Sequence, residues 1–195
     1  KPLPYPVWSE ELAALPEDLH DPVVLAFLQR VLPAHASTRE RLTILPTFFT
    51  ECLAGLGDIN SVLDIACGLN PLAIPWMPLK PGFTYTACDI FSDMIDFINT
   101  FFGHFQLNGQ ALLADVTQII PTVEADLVLI LKTIPCLEQM DKEARALAAH
   151  RVGFSGGERL APAAGQLRTL PAGSDVGAVG IAVASGRLAG AMPLQ

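Results

Sequence analysis

Apolar positions follow three different rhythms along the chain. Over residues 1–60 they recur at helical spacing. In "DPVVLAFLQRVL", Asp21 is placed to cap a helix and Pro22 takes its first position, where a missing N–H costs nothing. "STRERL" sets Ser37 three residues before Glu40, the spacing of a capping box. Pro46 then breaks or restarts that helix.

Over residues 61–150 short apolar runs alternate with helical stretches. "SVLDIA" (61–66), "TYTACDI" (84–90), "QALLADV" (110–116) and "ADLVLIL" (125–131) predict four strands, the last apolar enough to be covered on both faces. "NPLAIPWM" predicts a short helix with Asn70 as cap and Pro71 at its first position, cut off by Pro75 and Pro78. "SDMIDFINTFFGHF" (92–105) carries Met94, Ile95, Ile98, Phe101, Phe102 and Phe105 on one face, so its phenylalanines belong to a core. "MDKEARALAAH" is helical again. Strands alternating with helices predict an α/β fold with a doubly wound, mostly parallel sheet. Beyond residue 151 neither period holds. That zone has nine of the 15 glycines, nine alanines and one aromatic residue, Phe154. "VGAVGIAVA" is a weak strand there, and the rest reads as loop or disorder.

Composition bounds this picture. The 195 residues are 51% hydrophobic and 16% charged, enough for one α/β core. No apolar run reaches the roughly eighteen residues of a membrane span, so no membrane role is expected. The first residue, Lys1, and the lack of a signal peptide suggest a trimmed chain. Cys52, Cys67, Cys88 and Cys136 form no C-x-x-C pair, which leaves no metal site signalled and predicts reduced core thiols of a cytoplasmic protein. The net charge of −8 argues against a nucleic-acid binder.

Ligands of such a sheet bind outside the carboxyl ends of its strands. Those ends carry "DIACGLN", Asp89, Asp115 and Lys132. An acid about 20 residues past a glycine turn suits the two hydroxyls of a ribose. The turn reads G-L-N-P rather than G-x-G-x-x-G, and no G-K-S/T follows, so neither phosphate grip is present. Asp64 stands where a phosphate would want a base. A cationic nucleoside without phosphate fits, and S-adenosyl-L-methionine is that ligand. Gly68 then admits the backbone close to the methionine portion, Asp89 takes the ribose and Asp115 the adenine amino group. An arginine is expected on the carboxylate. Gly68 alone is more often a plain turn residue, and Asp89 or Asp115 alone a cap or a solvated charge. All three in order at successive strand ends reverse that balance. Lys132 after a buried strand lacks a solvated face, though a lysine can snorkel at a sheet rim. His20, His35, His104 and His150 form no pattern, and Trp76 and Met77 read as packing.

"AHASTRERL" (34–42), "VLDIACGLNPLAIPWM" (62–77), "YTACDI" (85–90) and "LILKTIPCLEQ" (129–139) together resemble the aminoglycoside-resistance methyltransferases of the small ribosomal subunit. Those enzymes methylate N7 of a guanine in 16S rRNA with S-adenosyl-L-methionine. The resemblance covers about residues 20–150. It implies a Rossmann-like class I methyltransferase, an rRNA-processing transferase conferring antibiotic resistance in the cytoplasm. It implies that Arg41 clamps the cofactor carboxylate, with Arg39 at a position where the family also uses lysine. Asp89 and Asp115 match the family's ribose and adenine acids. Lys132 and Glu138 match its target-side residues and are the catalytic candidates. The implied cofactor set is Arg41, Asp64, Ala66, Gly68, Asn70, Pro71, Asp89, Ile90, Asp115 and Val116. Guanine N7 carries a free lone pair, so alignment with the methyl group suffices and no general base is needed. N7 lies in the deep groove of A-form RNA, so the base is expected to flip into the pocket, where Lys132 steadies it or its phosphate.

Two departures from the family stand out. Residues 1–60 are a short remnant of its helical ribosome-docking region, and 61–150 form the cofactor-binding core. Residues 151–195 lack its further strand and its basic S-F-P…R-S-L-G-G-R loop. Their composition resembles a GC-rich reading frame shifted by one base, so truncation or frameshift after about residue 150 is expected. Residues 1–150 hold eight Lys/Arg against eighteen Asp/Glu, a balance of −10. The acidity therefore tracks the missing RNA-binding parts. A small-molecule methyltransferase and a non-catalytic cofactor-binding fragment are the rival expectations.

Overall fold

The computed structural model describes residues 2–115 and 125–131 with their side chains, and the backbone of 167–169 and 180–182. Four parallel strands form the main sheet: β1 (Ser61–Ile65), β2 (Thr84–Asp89), β3 (Gly109–Leu113) and β4 (Leu127–Leu129), in the order β3-β2-β1-β4. Consecutive strands run outward from β1 to β3, and β4 returns to the other side of β1. The strand order thus switches between β1 and β4, which makes the sheet doubly wound and Rossmann-like. A separate antiparallel pair joins β5 (Leu167–Thr169) to β6 (Gly180–Ala182), the latter within the weak strand expected from "VGAVGIAVA".

The strands are shorter than their apolar runs. β3 stops at Leu113 because its partner β2 ends opposite it at Asp89, and Ala114 makes the last bond, to the Asp89 carbonyl at 2.9 Å. Asp115 lies two residues beyond the strand. β4 pairs only Leu127 to Leu129 with Val62 to Asp64.

Five α-helices surround one face: α1 (Tyr5–Ala13), α2 (Pro22–Val31), α3 (Ala36–Arg41), α4 (Leu45–Cys52) and α5 (Ser92–His104). Asp21 caps α2 as expected, accepting from Val23 N at 2.8 Å. Pro46 restarts a helix near the head of α4. The Ser37–Glu40 capping box does not form. His35 precedes α3 without a side-chain cap, Ser37 lies inside the helix, and Thr38 Oγ1 bonds the Leu32 and His35 carbonyls instead. The helices share a core with the sheet: Tyr5, Trp8, Leu28 and Phe49 are buried with Val62, Tyr85, Phe97, Phe101 and Leu127. A smaller cluster, Leu63, Ile65, Cys88, Ala125, Val128 and Ile130, takes the alternate strand positions. Cys52, Cys67 and Cys88 are buried and in no disulfide, as expected of reduced core cysteines; Cys136 and the helix expected at 140–150 lie outside the described residues.

Candidate functional site

The chain leaves β1 through a turn in which Ala66 (φ 51°) and Gly68 (φ 53°) both take the left-handed conformation. Cys67 N bonds the Cys88 carbonyl at 3.0 Å, so the turn stays tied to the end of β2. Gly68 N donates to Asp89 Oδ2 at 2.9 Å, and Ile90 N to Asp89 Oδ1 at 2.7 Å. Each carboxylate oxygen has only one of these partners, so lone pairs remain for a diol. A Cβ on Gly68 would stand 3.1 Å from His35 Nδ1 and 3.7 Å from Ser37 Oγ. His35 in turn meets Tyr5 Oη through Nε2 at 3.0 Å.

Behind the turn lies a buried polar quartet. Asp64 points from β1 into the main core rather than to solvent. Asn70 Nδ2 donates to its Oδ2 at 2.8 Å and Tyr85 Oη to the same oxygen at 2.7 Å. Arg41 Nη2 donates to Asn70 Oδ1 at 3.2 Å. The Arg41 guanidinium also lies 5.5 Å from the Phe48 ring centroid, a cation–π contact. Arg41 is 1% exposed, whereas Arg39 is exposed. Asn70 does not cap the segment after the turn. Leu69 precedes it, Asn70 is its first residue, and the element is a 3-10 helix, Asn70–Trp76. Pro75 removes an N–H inside it, which disfavours a regular α-helix.

Burial pushes the Asp64 carboxyl up to about 6, opposed by the Asn70 and Tyr85 bonds and the Arg41 charge. Burial also pulls Arg41 down to about 10, which leaves it charged at neutral pH. No direct ion pair joins the two. Arg41 Nη1 and Asp64 Oδ1 are buried and have no hydrogen-bond partner among the described residues. An orphaned guanidinium nitrogen and an orphaned carboxylate oxygen suit a ligand that bears both a carboxylate and an ammonium.

The sequence-predicted residues therefore converge in part. Arg41, Asp64, Ala66, Gly68, Asn70, Pro71 and Asp89 gather around one turn. Ile90 follows Asp89 with its side chain exposed. Asp115 is exposed beyond β3. Val116, Lys132 and Glu138 lie outside the described residues. Sequence reasoning missed Tyr85, whose hydroxyl is buried on Asp64, and His35 with its partner Tyr5. It also missed Phe91 and Leu113, exposed apolar side chains beside Ile90 at the same strand ends. Alternation along β2 puts Tyr85 on the core face, but nothing in it announces a hydroxyl partner. Among the described residues, no helix is long and apolar enough to cross a membrane, and no group of side chains is arranged to hold a metal.

Known proteins resemble this chain along most of its described part. The family model for ribosomal RNA methyltransferase (FmrO) matches residues 4–152. The 16S rRNA (guanine(1405)-N(7))-methyltransferase of Micromonospora echinospora is 38% identical over 118 residues, 60% of this chain and 43% of that protein. The enzyme of the same name from Micromonospora rosea is 35% identical over 122 residues, 63% of this chain and 44% of that one. The chain thus spans less than half the length of these curated relatives. Among solved structures, an rRNA methylase from Escherichia coli superposes with a TM-score of 0.63 at 27% identity, covering 93% of this chain and 77% of that one. A 16S rRNA methyltransferase solved with S-adenosyl-L-homocysteine shares the fold, with a TM-score of 0.66 at 22% identity, over 92% and 75% of the two chains.

Proposed function

Because the chain belongs to the ribosomal RNA methyltransferase (FmrO) family and has its Rossmann-like class I fold, we propose that it transfers a methyl group from S-adenosyl-L-methionine to N7 of a guanine in 16S rRNA. The substrate is the small ribosomal subunit in the cytoplasm, and the modification is of the aminoglycoside-resistance type. One observation carries the reading. The buried, unpartnered Arg41 Nη1 and Asp64 Oδ1 stand beside a turn whose Gly68 amide holds the Asp89 carboxylate.

The donor set fits the cofactor. Arg41 receives the carboxylate of its amino-acid end and Asp64 the ammonium. Ala66, Gly68, Asn70 and Pro71 shape the backbone around its chain, and Asp89 accepts from the ribose hydroxyls. Ile90, with Phe91 and Leu113, supplies apolar surface for the adenine, and Asp115 with Val116 its polar edge. When bound, the cofactor supplies a methyl group on a sulfonium. The chain's own task is then to align a guanine N7 with that methyl and to exclude water. Lys132 and Glu138 are the target-side residues in this reading. N7 needs no proton removed, which agrees with a pocket where His35 is engaged by Tyr5 rather than free to act as a base. Residues 1–60 are the ribosome-docking remnant, 61–150 the cofactor core, and 151–195 a tail foreign to the family pattern.

A second reading, methyl transfer to a small molecule, is favoured by the net charge of −8. Incubation with tritiated cofactor separates the two. Label entering purified small subunits, but not free nucleosides, is expected. No label in either, with S-adenosyl-L-homocysteine still bound in calorimetry, would leave a non-catalytic cofactor-binding fragment. Absence of binding by a folded sample would end the cofactor reading altogether.

A further inference from the structure

Two opposite charges buried side by side ordinarily pair directly, because each alone costs several kcal/mol to desolvate. Arg41 and Asp64 do not. Asn70 stands between them, its amide oxygen accepting from Arg41 Nη2 at 3.2 Å and its nitrogen donating to Asp64 Oδ2 at 2.8 Å. Tyr85 donates to that same oxygen at 2.7 Å, and Asn70 Nδ2 also lies 3.4 Å from the Tyr85 hydroxyl. Both donors crowd onto Oδ2 and leave Oδ1 open. The single amide acceptor engages Nη2 and leaves Nη1 open.

We propose that Asn70 and Tyr85 are positioning residues that hold Arg41 and Asp64 apart as a matched receptor for a zwitterionic α-amino-acid group, so that this end of the cofactor, rather than its adenosine, dominates ligand selection. The inference rests on the cofactor reading above and extends it to two side chains that need not touch the ligand. A neutral amide is the right spacer. It satisfies one atom of each charge without cancelling either. Without the Tyr85 hydroxyl, Asp64 Oδ2 loses a donor and its anion loses support. Without the Asn70 amide, the two charges are free to collapse onto each other.

The test compares two ligands in calorimetry: S-adenosyl-L-homocysteine, and methylthioadenosine, which keeps the nucleoside and thioether but lacks the amino-acid end. The unaltered chain is expected to prefer the first by about a hundredfold or more. Tyr85→Phe and Asn70→Ala are expected to weaken S-adenosyl-L-homocysteine roughly tenfold or more, while methylthioadenosine affinity stays within about twofold. Parallel loss of both ligands, or no loss of either, overturns the proposal. Tyr85→Phe keeps the buried ring, so it decides the matter if Asn70→Ala fails to fold in a thermal melt. An unaltered chain that binds both ligands equally refutes this inference alone. One that binds neither refutes the cofactor reading and takes this inference with it.

Discussion

Asp64 faces Arg41 from α3, Asn70 after the turn, Tyr85 and Asp89 from β2 and Cys67 from the turn; burial, helped by the Asp89 charge, raises its carboxyl to about 6 from 3.8 against the Asn70 and Tyr85 hydrogen bonds and the Arg41 charge. The folded chain therefore holds a proton that the unfolded chain has released between those two values. Stability without ligand should fall as pH rises across that window, by roughly 3 kcal/mol at most, visible as a drop in melting temperature between pH 4 and pH 6.5. Binding of an ammonium favours the ionised form, so cofactor affinity should rise over the same window, by up to about tenfold per pH unit below 6. A flat affinity across it would remove Asp64 from the ammonium. Gly68→Ala makes a second test at this scale. The left-handed backbone and the 3.1 Å approach to His35 Nδ1 oppose a side chain there. We expect a loss of about 1–2 kcal/mol in stability and weaker cofactor binding. Asp64, Gly68 and Asp89 were legible in sequence because apolar runs fix where strands end. Arg41 was legible only through a family motif. Tyr85 and His35 were not, since their partners lie 21 and 30 positions away.

Elements were legible where apolar spacing is decided locally, and misread where a distant partner sets the answer. The four strands lie within or next to their expected runs, yet β3 ends where β2 stops offering bonds. Ser37 and Asn70 both have the chemistry of helix caps. One was absorbed into α3, and the other was drawn inward by a buried acid and an arginine. The cost of an uncapped helix start, about 1 kcal/mol, is smaller than that of leaving a buried carboxylate unsatisfied. Close packing between elements gives its own prediction. At Gly109, which opens β3, an added Cβ would come within 2.6 Å of the Phe102 ring of α5. Phe102 is 2% exposed and has nowhere to retreat. Gly109→Ala should cost about 1–3 kcal/mol by overpacking. A denaturant midpoint unchanged from the parent would mean that this helix–strand seam is looser than its geometry.

Over the whole molecule, the helical segment and the sheet are one packing unit rather than two bodies in contact. Tyr5 and Trp8 of α1 set their rings 5.7 and 5.8 Å from Phe97 of α5, and Tyr5 bonds His35, the residue beside the Gly68 turn. Deleting residues 1–15 should therefore uncover Phe97 and abolish cooperative unfolding. If the shortened chain still melted sharply, α1 would be an accessory. Helical spacing predicted α1's surroundings but not its anchorage, because aromatic contacts across 90 residues leave no local mark. The sheet also has a closing piece. Asp126, just before β4, accepts from the amides of Asn60 and Ser61 at 2.8 and 3.1 Å, while its own N–H donates to Ser61 Oγ at 2.8 Å. During synthesis β1 meets β2 early, but its other edge stays open until a residue 65 positions later has been made. An unpaired central edge invites wrong partners. β1, the strand that leads into the Gly68 turn, is thus expected to gain hydrogen-exchange protection on both sides only once Asp126 has arrived to latch it, with the nascent chain most open to mispairing in the interval before.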